Sequence, residues 1–253
     1  MPYRYATDQE DYSDYASGRV LYSLPGHPAF PVRLVSEIFQ RCAAALVDNG
    51  VSGPYTIYDP CCGGAYHLTT LGYLHWDAIG AILASDISQD AVSLARRNLG
   101  LLSPTGLATR AGELEAMLAA YGKDSHATAL ESAARLQTLM DVGLSGHPIQ
   151  TDVFQADTTV TASMAEGLGV TDIDIVLTDV PYGDKSSWQL SETSAASGTP
   201  PLRQMLDALR GVITNRTIVA IATQKRQKAR HPAYRRLDRF NLGKRRVTVL
   251  RLA

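Results

Sequence analysis

Four carboxylates stand at or near the ends of four apolar runs in this 253-residue chain: Asp59 in TIYDP, Asp86 in AILASD, Asp152 in TDVF and Asp179 in IDIVLTD. Runs of this kind read as parallel strands, and open α/β sheets bind ligands beyond the carboxyl ends of such strands. Four acids on one rim repel each other unless a cation or hydrogen-bond donors sit among them. Helix capping is their other use, and it explains Asp59 or Asp86 singly better than all four. The last acid opens Asp179-Val180-Pro181-Tyr182: an acid, a rigid turn and an aromatic ring directly after a strand.

The first acid opens DPCCGGAY, residues 59–66. Its glycines, Gly63 and Gly64, let backbone approach a ligand closely, and the helix start after them offers free N–H groups. A dinucleotide-binding G-x-G-x-x-G is absent, which weighs against a nicotinamide-dependent oxidoreductase. Asp86 follows Gly63 by 23 residues, where an acid can accept hydrogen bonds from both hydroxyls of a ribose.

Positioning these residues takes a strand and helix alternation. Residues 56–60 form a short strand, 65–76 a helix and 81–86 a second strand. Ser88 is a good N-cap for the next helix, whose Ala91, Val92, Ala95, Leu99 and Leu102 recur at helical spacing, with Pro104 expected to end it. A third strand ends over 151–154 and a fourth spans 173–179. Leu202, Met205, Leu206 and Leu209 mark an amphipathic helix, 217–223 a fifth strand, and the last elements a hairpin closing on RRVTVLRL. This predicts one α/β domain over 1–253, a mostly parallel sheet with helices on both faces, an N-terminal arm over 1–25 and a basic segment over 225–253.

Two segments break the alternation. Residues 103–148 carry two helical patterns, one on Leu114, Met117, Leu118 and Tyr121, the other on Leu130, Ala133, Leu136 and Met140, where a crossover needs only one. This insertion is either a substrate-recognition module or a helical ornament. Residues 183–201, rich in Ser, Thr and Gly, read as a mobile connection.

Composition narrows the class. With 45% apolar residues the chain can build a packed core. Its opening, MPYRYATDQEDYSDY, is polar, and no apolar run approaches the roughly 18 residues of a membrane helix, so a soluble, cytoplasmic protein is expected; the sequence leaves the oligomeric state open, with a monomer as the default. Cys42 and the adjacent Cys61 and Cys62 suit neither a disulfide framework nor a zinc site, and His27, His67, His75 and Trp76 read as packing or rim residues, so no metal is expected. The net charge of −1 hides an asymmetry: residues 225–251 hold 11 Lys/Arg against Asp238 alone. Such a segment is either a solvated basic face or the docking site of a polyanion.

Together, DPCCGGAY, ASDIS, TDVF and DVPYG resemble the motifs of class I S-adenosylmethionine-dependent methyltransferases: the first motif, the ribose-binding acidic loop, the adenine-side acid and the [DNS]-P-P-[YF] catalytic motif. GHPAFPVRL, residues 26–34, is similar to the segment that encloses the cofactor. More closely, SGRVLYSLPGHPAFPVRLVSEIFQR, DPCCGGAYHLTTLGYLH, NLGLLSPTGL and DIVLTDVPYG resemble the avilamycin-resistance ribosomal RNA guanine methyltransferase family, over most of the chain. The resemblance implies a Rossmann-like fold with a seven-stranded sheet. S-adenosylmethionine would be held by Phe30, Asp59, Pro60, Cys61, Cys62, Gly63, Gly64, Asp86, Ile87, Asp152 and Val153. The implied substrate is a guanine of large-subunit 23S ribosomal RNA, with resistance to an orthosomycin-type antibiotic as the consequence. Two departures stand out: Ala65 replaces a motif-one glycine, acceptable only at negative φ, and Val180 replaces the first proline of the pair.

By the same resemblance Asp179, Val180, Pro181 and Tyr182 are catalytic. The Asp179 carboxylate and the Val180 carbonyl accept the protons of a base amine, Pro181 fixes the turn, and Tyr182 stacks on the base, a contact worth about 1–3 kcal/mol. A paired base cannot reach such a pocket, so flipping or a looped substrate is implied. Alignment carries the transfer and no metal is required. Lys225, Arg226, Lys228, Arg230, Arg235 and Arg236, following the fifth strand, would grip phosphates around the base, giving a salt slope of several units. N6 methylation of adenine and a non-catalytic RNA-binding role on the same scaffold are the alternatives. N1 and N2 of guanine both stay open.

Overall fold

A computed structural model describes residues 3–23, 30–169, 171–181 and 188–253 of the chain. Strands β1 (Tyr55–Asp59), β2 (Ile79–Asp86), β3 (Gln150–Gln155), β4 (Ile175–Asp179) and β5 (Ile218–Gln224) run parallel, and β6 (Tyr234–Leu242) and β7 (Arg245–Leu252) form a hairpin. They make one seven-stranded sheet in the order β3-β2-β1-β4-β5-β7-β6, with β7 antiparallel to both neighbours. This is the mostly parallel sheet expected from the alternation. Because β2 and β4 flank β1 on opposite sides, the strand order reverses there, and a crevice opens at such a point.

Side chains alternate across the sheet with period two. Ile57, Ile175, Leu177, Ala220 and Val247 face one layer, and Tyr58, Val176, Val219 and Ile221 the other. Helices α1 (Val32–Val47), α2 (Tyr66–Leu74), α3 (Gln89–Gly100), α4 (Pro104–Tyr121) and α5 (Asp124–Leu144) supply the first layer. The second comes from α6 (Thr161–Leu168) and, past the short α7 (Glu192–Ala196), from α8 (Pro201–Leu209). Ser88 caps α3, its Oγ accepting the Ala91 N–H at 3.4 Å. Pro104 does not end that helix but starts α4, where a missing N–H costs nothing and Ser103 caps the turn. Within 183–201, read as a mobile connection, residues 183–187 lie outside the described residues, and α7 follows, capped by Ser191. Among the described residues no helix is long and apolar enough to cross a membrane.

Helices α4 and α5 are the two predicted for the insertion. They dock where Gly143 approaches Trp76 so closely that a Cβ would stand 2.4 Å from the indole, whose Nε1 donates to the His147 carbonyl at 2.8 Å. Their other work is to hold the N-terminal arm. Arg110 donates to the carbonyls of Val20 and Arg19, and Ser132 and Arg135 bind Asp14. Further up the arm, the buried Glu37 carboxylate accepts the backbone N–H groups of Arg4, Tyr5 and Ala6 at 2.7–2.8 Å.

Buried Asn98 of α3 makes the last of these ties. Its Oδ1 accepts the Tyr22 N–H at 2.8 Å, and its Nδ2 donates to the carbonyls of Tyr22 and Gly64 at 3.1 and 2.7 Å. One side chain therefore joins the arm to the glycine turn. Asn98→Ala leaves three backbone groups without these partners, an expected cost of about 2–4 kcal/mol. Thermal unfolding should show Tm lowered by roughly 5–12 °C. An unchanged Tm would mean that water or a shifted arm replaces the amide.

Candidate active site

The crevice is a cavity of about 540 Å³ at the carboxyl ends of β1, β2 and β4, within the roughly 300–1,000 Å³ usual for small-molecule sites. Pro60, Cys61, Cys62, Gly63 and Gly64 line it from the turn after β1, and Asp86 and Ile87 from the end of β2. Phe30 and His67 close another wall, and the arm contributes Tyr22 and Ser23. From β4 come Asp179 and Pro181, with Trp188 and Gln189 beyond them.

Asp86 fixes the glycine turn. Its Oδ2 accepts the Gly63 N–H at 2.9 Å and its Oδ1 the Ser88 N–H at 3.0 Å. Burial raises its pKa above the ordinary aspartate value; the Ser88 and Gly63 hydrogen bonds oppose the rise, and the Asp59 charge adds to it. Gly63 has φ +53° and nothing within 4 Å of where a Cβ would stand, so the turn leaves open space toward the cavity. Ala65 overturns its sequence expectation, having φ +52° where a negative value was required. The turn holds it there: its N–H donates to the Cys62 carbonyl at 2.8 Å and its carbonyl starts α2 by accepting from Thr69. Such a conformation costs an alanine about 1–2 kcal/mol. Burial pushes the thiols of Cys61 and Cys62 well up, with the Asp59 and Asp86 charges adding, so both are neutral.

Not every expected residue reaches the cavity. Asp59 is fully buried beneath the turn, its Oδ1 accepting the Cys61 N–H at 2.9 Å and its Oδ2 2.7 Å from His67 Nε2. It shapes the wall and is not part of it. The Val180 side chain is likewise packed in the core, its N–H donating to the Ala222 carbonyl at 3.2 Å. Asp152 and Val153 are displaced from the rim because β3 runs on to Gln155, level with Asp86. Asp152 is exposed in mid-strand; the acid beyond the strand end is Asp157, which lines the cavity with Ala156 and Thr158. Burial raises the Asp157 pKa, but hydrogen bonds from Thr159 and Ser191 outweigh it and the net shift is downward. Tyr182, His27 and residues 26–29 of GHPAFPVRL lie outside the described residues.

Sequence reasoning passed over Arg245, which starts β7 opposite Gln224. Its Nη2 stands 4.0 Å from Asp179 Oδ2, and its guanidinium carbon lies 5.0 Å from the centre of the Phe30 ring. His67, read as a packing or rim residue, is in the cavity wall, paired with Asp59.

The basic segment divides. Lys225 follows β5 directly and its N–H donates to the Lys244 carbonyl at 3.2 Å, so Lys225, Arg226, Lys244, Arg245 and Arg246 cluster at the edge that carries Asp179. Lys228 follows the turn that the Gln227 N–H closes on the Gln224 carbonyl. By contrast β6 runs parallel to β5, so Arg235 and Arg236 start it at the far edge, paired with Arg251 and Leu250. Leu250 is level with Val219, five residues from Gln224, or about 17 Å at 3.3–3.4 Å per residue. Arg230 belongs with them, lining a separate shallow cleft with Arg203 and Arg236. The placement of all six basic residues around one pocket is thereby corrected.

Comparison with known proteins agrees with the geometry. The family model described as rRNA methyltransferase AviRa matches residues 1–245. The chain is 36% identical, over 99% of its length and 96% of the relative's, to the 23S rRNA (guanine(2535)-N(1))-methyltransferase of Streptomyces viridochromogenes. Two solved structures of the rRNA methyltransferase AviRa from that organism superpose with TM-scores of 0.86 and 0.85 at 35% identity, covering 99% of this chain and 96% of each. The chain belongs to the AviRa family of rRNA methyltransferases, which use S-adenosylmethionine as methyl donor.

Proposed function

We propose that the chain transfers a methyl group from S-adenosylmethionine to N1 of a guanine in 23S rRNA. The observation that carries this is the Asp179 carboxylate at the mouth of a cavity walled by backbone turns and acids, in a chain 36% identical to a relative named for that reaction. The donor set fits the cofactor. Among the residues that line the cavity, Asp86 would accept from the ribose hydroxyls, the Gly63–Gly64 turn would take the amino-acid end, and Ile87, Ala156, Asp157 and Thr158 would border the adenine. When bound, S-adenosylmethionine supplies an electrophilic methyl group on a sulfonium.

The residues of the chain do the rest. Guanine N1 is a poor nucleophile because it carries a proton and its lone pair is delocalised toward O6. Asp179 accepts that proton, and Pro181 holds the acid facing the cavity. Phe30 and the arm, tied down by Asn98, keep water from the reacting atoms. Tyr182, next in sequence, is the stacking partner for the flipped base.

Phosphates around the base are gripped at the near edge of the sheet. Lys225→Ala/Arg226→Ala/Arg246→Ala should reduce the slope of log affinity against log salt by about 2–3, at 0.7–0.9 per phosphate contact. Arg235→Ala/Arg236→Ala should leave that slope unchanged and RNA affinity within a few-fold. Filter binding to a 23S rRNA fragment checks both, and equal losses from the two sets would place the RNA elsewhere. The function itself is tested by offering radiolabelled S-adenosylmethionine with protein-free 23S rRNA, DNA and ribosomal protein. Label confined to RNA is expected. Label in DNA or protein, or tight nicotinamide binding without S-adenosylmethionine binding, contradicts the reading.

A further inference from the structure

We infer that Arg245 reads the target base, donating to guanine O6 while Asp179 accepts the N1 proton. This rests on the N1 reading above. Arg245 stands on the β7 side of Asp179, two strands away in the sheet order, and the two side chains converge to 4.0 Å. Both are three-quarters buried, at 24% exposure each, which sharpens their electrostatic effect on anything between them. Phe30, which lines the cofactor cavity, lies against the same guanidinium. A base that brings N1 to Asp179 from this side meets Arg245 at its neighbouring atom.

The Watson–Crick edge of guanine places the O6 acceptor beside the N1–H donor. A guanidinium beside a carboxylate is the complementary pair. Adenine reverses both atoms, an amine at position 6 and an unprotonated N1, so it would set donor against donor and lone pair against carboxylate. The pair therefore selects guanine. It also acts on the reaction itself. N1 loses its proton to Asp179 and bonds the methyl carbon, while the carbon–sulfur electron pair stays with sulfur. As the proton leaves, negative charge spreads to O6, where the guanidinium stabilises it more than in the neutral base.

The test compares wild type, Arg245→Ala and Arg245→Lys in single-turnover transfer, with Tm recorded for each. Arg245→Ala is expected to lower kcat by about 10²–10³ with KM for RNA changed only a few-fold. Its rate should climb with pH over a range where wild type is flat, because N1 loses the help of the guanidinium. The other titratable groups that line the cavity among the described residues, the acids Asp86, Asp90 and Asp157, His67, the Cys61 and Cys62 thiols and the Tyr22 and Tyr66 phenols, are common to both proteins, so the difference profile isolates Arg245. Arg245→Lys keeps the charge without the planar fork and should recover part of the rate with a pH profile like wild type; it carries the test if the alanine variant does not fold. If wild type forms N1-methylguanine and Arg245→Ala keeps its kcat and pH profile, the Arg245 role is wrong and the N1 reading stands. A wild-type product methylated on any other atom overturns both.

Discussion

Asp179→Asn should lower kcat for methyl transfer by about 10²–10⁴, the range supplied by a well-placed general base. The amide keeps the shape of the side chain and still accepts a hydrogen bond, but it cannot take a proton. Asp86, the glycine turn and the Asp157 wall are untouched, so S-adenosylmethionine affinity should stay within a few-fold. RNA affinity should hold as well, since phosphate contacts do not pass through Asp179. Single-turnover kinetics with calorimetric titration of the cofactor separate these quantities. Loss of transfer with both affinities retained marks an enzyme with a defined proton acceptor. An unchanged kcat would move that acceptor elsewhere.

Asp86→Ala should produce the opposite split. Charge-assisted hydrogen bonds contribute about 1.5–3 kcal/mol each, and on the proposed reading Asp86 accepts two ribose hydroxyls, besides ordering the Gly63 and Ser88 amides. A loss of about 3–4 kcal/mol raises the S-adenosylmethionine Kd by roughly 10²–10³, whereas kcat at saturating cofactor should change little. The pH dependence carries a sign. Burial has raised the pKa of Asp86, and the ribose needs the ionised acceptor, so wild-type affinity is full above that pKa and falls as pH drops through it. In Asp86→Ala this fall should vanish. Asp152→Ala is the control, because that carboxylate is exposed away from the cavity. A weaker Kd in Asp152→Ala equal to that in Asp86→Ala would contradict the assignment of the wall.

Much of this is legible in the sequence because period-two apolar runs and acids at strand ends are local signals. Asp59, Asp86 and Asp179 end β1, β2 and β4 as read. Asp157 is missed because Asp152, inside the strand read as ending at Phe154, passes for its terminal acid; the strand runs one residue further to Gln155, level with Asp86, and the acid beyond that end is Asp157. Asn98 carried a readable signal, a polar residue within the apolar stripe of α3, but its partners lie 34 and 76 residues away. Arg245 and the division of the basic segment depend on the direction of the β6–β7 hairpin, which composition does not encode. Ala65 shows the limit of a conformational rule: surrounding hydrogen bonds hold a residue that the local backbone preference disfavours.

The most direct measurement is primer extension across 23S rRNA treated with the wild-type protein and S-adenosylmethionine, with mass spectrometry of the modified nucleoside. A methyl on N1 blocks the Watson–Crick edge, so N1 methylation predicts a reverse-transcriptase stop at one guanine, present with wild type, absent with Asp179→Asn, and an N1-methylguanosine mass signature. A methyl found on another base or on N2, or a stop that persists with Asp179→Asn, would contradict it.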